Sequence, residues 1–135
     1  MSEPVILPNS LRRQLLEQAL ANPHREVCGL LGGCGQALLS YYPVRNIAAD
    51  PANEFLMDPA GQIGVMKQLR ASGEQLLGIF HTHPTTTARP SARDERLAYY
   101  PDTIYFILSL MTSPPDLRAY YFDGERFSER PIQTE

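Results

Sequence analysis

Apolar residues at Leu11, Leu15, Leu16, Ala19 and Leu20 recur at helical spacing and lie on one face. Asn9 or Ser10 can cap such a helix, and Pro23 ends it. Ahead of it, residues 1–8 read as an extended arm closed by Pro8. Val27–Gly33 is a continuous apolar and glycine run, which predicts a buried strand. Cys34-Gly35 then makes a turn into a second strand over Gln36–Val44.

Asn46–Asn53, with Pro51, reads as a loop, and Glu54–Met57 as a short strand. Pro59 suits a first helical turn, and Ile63, Met66 and Leu69 carry that helix to about Ser72, before Gly73. Leu76–His81 predicts a central strand, followed by a polar loop, Thr82–Pro90. Ser91 opens a further helix to about Tyr99. Thr103–Met111 is a strand, Pro114-Pro115 a turn and Leu117–Phe122 a strand, with a hairpin turn at Asp123-Gly124 before a short last strand. This order describes a mixed α/β, α+β-like layer fold, with helices packed on one curved sheet.

The chain of 135 residues fits one domain, with 43% hydrophobic and 20% charged residues. Its net charge of -3 offers no broad basic field, so nucleic acid is not an expected partner. Arg89, Arg93 and Arg96 form a local basic group that a solvated helix face explains equally well. The apolar stretch Ile104–Met111 is too short to span a bilayer, and no membrane role is expected. The start, MSEPVILPNS, lacks a basic segment followed by an apolar one, so a cytoplasmic location is expected. In that reducing setting Cys28 and Cys34 are expected as free thiols, and no CxxC makes them metal ligands. His24 fits a helix C-terminus, where the dipole favours it.

The candidate chemistry lies in His81-Thr82-His83-Pro84, six further residues, and Ser91-Ala92-Arg93-Asp94. In extended backbone, residues i and i+2 point to one face, so both imidazoles can converge on one ion. Asp94, one turn into the next helix, can add a carboxylate oxygen. Two imidazoles and a carboxylate fill three positions of a tetrahedral zinc and leave the fourth for water, as catalytic sites do. Glu26, at the start of a strand expected beside Leu76–His81, is placed to exchange a proton there. Ser91 can donate a hydrogen bond to a developing oxyanion.

Taken singly, each residue has a plainer explanation. A histidine at a strand end is commonly a tolerated polar residue, and Ser91 with Asp94 fits a helix capping box. The joint pattern carries the metal reading.

At these residues the sequence resembles the JAMM motif of the JAB/MPN+ domain family. That motif is an upstream Glu, then H-x-H, seven residues, S, two residues and D. Here it stands as Glu26, His81, His83, Ser91 and Asp94, with no departure in spacing, and the segment E-V-C-G-L-L-G-G resembles the family's glutamate-bearing strand. The resemblance covers nearly the whole chain, 1–135, as a single domain. It implies a cytidine-deaminase-like layer fold with a curved mixed sheet and a zinc metallopeptidase or isopeptidase. Zinc would sit on His81, His83 and Asp94, with Glu26 as acid/base and Ser91 assisting the oxyanion.

The chain's short length resembles the compact prokaryotic members. That resemblance implies cleavage at the C-terminal Gly-Gly tail of a ubiquitin-like or sulfur-carrier protein. Such a tail could add as a strand along an exposed sheet edge, with Thr85–Pro90 and Asn46–Met57 flanking it. Within the family, a RadC-like DNA-associated protein is the alternative, opposed by the acidic charge. A non-catalytic MPN scaffold is opposed by the presence of all five motif residues. A nucleoside deaminase would need a P-C-x-x-C pair, which is missing.

Overall fold

A computed structural model describes residues 3–135. Of the arm expected over residues 1–8, the first two lie outside the described residues, and Val5–Leu7 forms a short strand, β1, before helix α1 (Asn9–Ala21). Strands β2 (Cys28–Cys34) and β3 (Ala37–Val44) form a hairpin through Gly35, whose φ of 61° suits glycine. Helix α2 (Pro59–Ala71) follows, then strand β4 (Gln75–His83) and helix α3 (Ala92–Leu97). Strands β5 (Thr103–Ser109), β6 (Asp116–Phe122), β7 (Phe127–Arg130) and β8 (Ile132–Thr134) complete the chain.

Six strands form the main sheet in the order β3-β2-β4-β5-β6-β7. Only the central pair β4–β5 is parallel; its neighbours pair antiparallel. A parallel pair needs a crossover, and the segment carrying α3 supplies it. The expected mixed α/β layer fold is the one observed.

The apolar face of α1 buries Leu11, Leu15 and Ala19 against Leu31, Phe80 and Phe106. On the opposite sheet face, Val65 and Leu69 of α2 pack with Cys28, Leu30, Ile79 and Tyr105. Alternation along β4 explains both clusters: Phe80 faces α1, whereas Ile79 faces the α2 side. His81 and His83 continue the Ile79 face. Gly29 is required where it stands, because a Cβ there would run into the Tyr41 ring.

Several boundaries differ from the sequence expectation. β4 runs to His83 rather than stopping at His81, because Thr82 is held on both sides. Its N–H donates to the Val27 carbonyl at 3.1 Å, and its register partner in β5 is Leu108. Neither Asn9 nor Ser10 caps α1; the N-cap is Pro8, whose carbonyl accepts from Leu11 and Arg12. Glu54–Met57 is no strand beyond one bridge between Asn46 and Met57. α3 ends at Leu97, and β5 ends at Ser109. The last strand is split at Pro131, which has no N–H to continue a ladder. Its second part, β8, pairs parallel with β1 as a separate two-stranded sheet.

Candidate metal centre

His81 and His83 stand at the C-terminal end of β4, at 1% and 3% exposure. Open α/β sheets place ligands beyond the carboxyl ends of parallel strands, and this end is such a place. The two Nε2 atoms are 3.2 Å apart. Asp94 Oδ2 lies 3.2 Å from His81 Nε2 and 3.1 Å from His83 Nε2.

The loop after β4 is pinned through three consecutive carbonyls. Ser109 Oγ donates to Thr86 at 2.5 Å, His83 Nδ1 to Thr87 at 2.7 Å, and Tyr120 OH to Ala88 at 2.5 Å. The Thr87 bond has a chemical consequence. A carbonyl only accepts, so His83 carries its proton on Nδ1 and, when neutral, turns the Nε2 lone pair toward Asp94.

Asp94 is fixed by the start of α3. The Ser91 hydroxyl accepts from the Asp94 N–H at 3.0 Å, and Asp94 Oδ2 accepts from the Ser91 N–H at 2.9 Å. The capping box and the histidine cluster therefore share one carboxylate oxygen. Burial alone would raise the Asp94 pKa. The contacts from His81, His83 and the Ser91 N–H outweigh it and hold the carboxyl well below the usual range.

Glu26 is 4% exposed, and its Oε1 has no hydrogen-bond partner. Burial pushes its pKa up to about 8; His83 opposes that rise, and Asp94 and Glu54 add to it. Ligand atoms of Glu26, His81 and His83 all lie within 4.8 Å of one another. His81 and His83 thus have Glu26 and Asp94 beside them, and Ser91, exposed, joins the cluster only through its bonds to Asp94.

The donor set fits a cation. Burial lowers the His81 pKa, which favours the neutral imidazole a metal needs. For His83, burial acts downward, but bonds to Asp94 and Thr87 leave its pKa raised. Two nitrogens and a carboxylate oxygen converge 3.1–3.2 Å apart, and the Thr87 bond turns the lone pair of neutral His83 inward. Ligand atoms around a tetrahedral ion at about 2.0–2.1 Å stand roughly 3.3 Å from one another. A proton shared among the three atoms is the other way to fill the gap.

Beside the cluster opens a cavity of about 630 Å³, walled by Phe55, Ile63, Met66, Leu97 and Tyr99, with His81 and Asp94 at its floor. Sequence patterning missed three features in and behind its wall. Phe55 stacks on His81, with ring centroids 4.4 Å apart. Glu54 pairs with Arg93 at 3.2 Å, so this arginine, still 40% exposed, is also part of the cavity wall. Arg89 and Arg96 are exposed. Asn46 is buried, and its amide bonds to both the Glu26 and the Glu54 backbone. Of these, only Phe55, in the short apolar run Phe55-Leu56-Met57, carried any local signal.

A mixed sheet with an H-x-H strand end, a capped carboxylate and a buried glutamate defines a candidate single-ion metal site in an α/β domain. The chain belongs to the prokaryotic homologs of the JAB domain, whose family model matches residues 8–123. A desampylase of Haloferax volcanii is 31% identical over 131 residues, covering 94% of this chain and 91% of its own. A CysO-cysteine peptidase of Mycobacterium tuberculosis is 28% identical over 133 residues, covering 92% and 89%. A solution structure of a protein from Desulfitobacterium hafniense superposes with a TM-score of 0.84 at 35% identity, over 96% of this chain and 92% of that one.

Proposed function

We propose that this protein is a zinc-dependent peptidase or isopeptidase. Its substrate would be an amide bond at the C-terminal Gly-Gly tail of a ubiquitin-like or sulfur-carrier protein. The observation that carries the reading is Glu26: a buried carboxyl with an unpartnered Oε1, set against the two histidines that also share Asp94. The likeness to a desampylase and a CysO-cysteine peptidase along almost the whole chain supports protein-linked amides as the substrate class.

His81, His83 and Asp94 would hold the ion. Bound zinc lowers the pKa of water and polarises a carbonyl. The chain's own residues supply the rest. Glu26, buried and with Oε1 unpartnered beside the histidines, would take a proton there and return it to the leaving amine. The Ser91 oxygen accepts from the Asp94 N–H, which leaves its O–H free to donate to an oxyanion. Phe55 and Leu97 line the adjoining cavity and would keep water from its apolar side.

The tail does not have a sheet edge beside the site, as the sequence reading supposed. The edge strands are β3 and β7, while the histidines are on β4, inside the sheet. The extended segment Glu54–Met57, beside His81, is the backbone available to an incoming strand.

Among the described residues no helix is long and apolar enough to cross a membrane. Both cysteines are free thiols, which supports a reducing, cytoplasmic setting. The test is zinc content together with cleavage of a ubiquitin-fold protein joined through its Gly-Gly end to a fluorogenic amine. Glu26→Gln should keep the metal and lose cleavage. Undiminished cleavage by that variant would overturn the role of Glu26, and a wild type that cleaves no such amide would overturn the substrate class.

A further inference from the structure

Asn46 is 7% exposed and follows β3. Its Nδ2 donates to the Glu26 carbonyl at 2.9 Å and to the Glu54 carbonyl at 3.1 Å. Its Oδ1 accepts from the N–H groups of Ala48 and Leu56, each at 3.0 Å. Both protons and both lone pairs of the amide are therefore used. Turning the amide over would set its NH2 against two N–H donors, so the network admits one orientation.

The groups it ties together are those around the histidines. Glu26 is one; its N–H donates to the Pro51 carbonyl at 2.6 Å, within the same loop. Glu54 is the second, and its carboxylate pairs with Arg93, the neighbour of Asp94. Between Glu54 and Leu56 lies Phe55, which stacks on His81. One buried side chain thus links the carboxyl-bearing backbone to the wall of the cavity, and Asn46 is not among the residues lining that cavity.

We propose that Asn46 is a positioning residue. It sets the Glu26 carboxyl against the histidines and, through the same amide, holds Glu54–Leu56 along the groove. This rests on the reading of Glu26 as the proton carrier. A displacement of about 1 Å at such a group costs on the order of a hundredfold in rate. Asn46→Ala removes all four bonds. Asn46→Asp keeps an acceptor for Ala48 and Leu56 but turns a carboxylate oxygen toward two carbonyls.

The experiment uses the same fluorogenic fusion, with rates normalised to bound zinc so that misfolded protein does not count. Both variants should lower kcat about tenfold or more, and Asn46→Ala should also raise KM. In the Glu26→Gln background, Asn46→Ala should leave the residual kcat unchanged, because its kcat effect acts through Glu26. If kcat per zinc stays within twofold of wild type in both variants, or if the loss persists undiminished in the Glu26→Gln background, the proposal falls. Hydrogen exchange supplies an activity-free check. In Asn46→Ala the Leu56 and Ala48 amides should exchange at least about tenfold faster while those of β4 and β5 do not change. Equal protection in variant and wild type would also overturn it. If Glu26→Gln is fully active, the exchange result still decides whether Asn46 orders the segment, and the proposed function fails separately.

Discussion

Cys28 stands directly across from His81 in the antiparallel pair β2–β4, and the pairing continues through Val27 and Thr82. The next residues in that register are Glu26 and His83. Directly opposed residues share a sheet face, so the glutamate reaches the histidines by strand pairing across more than fifty residues of sequence.

Removing the Glu26 charge should stabilise the metal-free protein in a pH-dependent way. Burial lifts its folded pKa from the ordinary 4.5 to about 8. Between those values the folded chain holds a proton that the unfolded chain has released, so stability falls as pH rises through that window. At pH 7.5 the penalty is on the order of 2–3 kcal/mol after allowance for partial solvent contact. Glu26→Gln in excess chelator should therefore melt several degrees higher at pH 7.5 and unchanged near pH 4.5. An equal gain at both pH values would point to packing instead.

Metal affinity should fall on acidification. Asp94 contacts hold the His83 pKa above its ordinary 6.5, and that proton must leave before Nε2 can bind an ion. Competition with a chelator should show affinity dropping on the order of tenfold per pH unit below about 6.5. His83→Ala and Asp94→Ala should each leave zinc stoichiometry near zero, since either removes a ligand from a set of three.

Ser91 has two separable duties. Ser91→Ala removes the acceptor for the Asp94 N–H and should cost about 1 kcal/mol. Its kcat should fall by about a hundredfold if the hydroxyl also serves an oxyanion. Ser91→Asp restores a cap without the hydroxyl donor. Stability should return in that variant while kcat stays low; recovery of both would confine Ser91 to capping.

Phe55 should tune the metal through His81. The His81 Nδ1 has no hydrogen-bond partner, so besides the Nε2 contacts to Asp94 and His83 it is the stacked ring, its centroid 4.4 Å away, that orients the imidazole. Phe55→Ala should weaken zinc binding about tenfold, in the range seen when an outer support of a ligand is lost. Phe55→Leu, which keeps bulk, should lose less. Equal affinity in all three proteins would show that the backbone alone orients His81.

Much of this was legible locally. The two-residue spacing of His81 and His83 puts both on one face wherever the segment is extended. Ser91 and Asp94 announce a capping box within four residues. Pro59 and Gly73 bracket α2. These features depend on backbone geometry that neighbouring residues dictate. The end of β4 was not legible, because Thr82 looks like a loop residue until Val27 and Leu108 pair with it. The split at Pro131 was visible, but not that β8 would cross to β1 at the other end of the chain.

By itself, then, the sequence determined the types and order of the candidate ligands and the face that His81 and His83 share, since these follow from period and capping within short windows. Only the tertiary structure decided that Glu26 loses its solvent beside the histidines, that the Thr87 carbonyl chooses the His83 tautomer, and that the Asn46 amide ties the Glu26 backbone to Glu54–Leu56. Each of those needs groups brought together by strand register or loop closure. No local pattern records such pairings, because the free energy that selects them is that of the whole packed sheet.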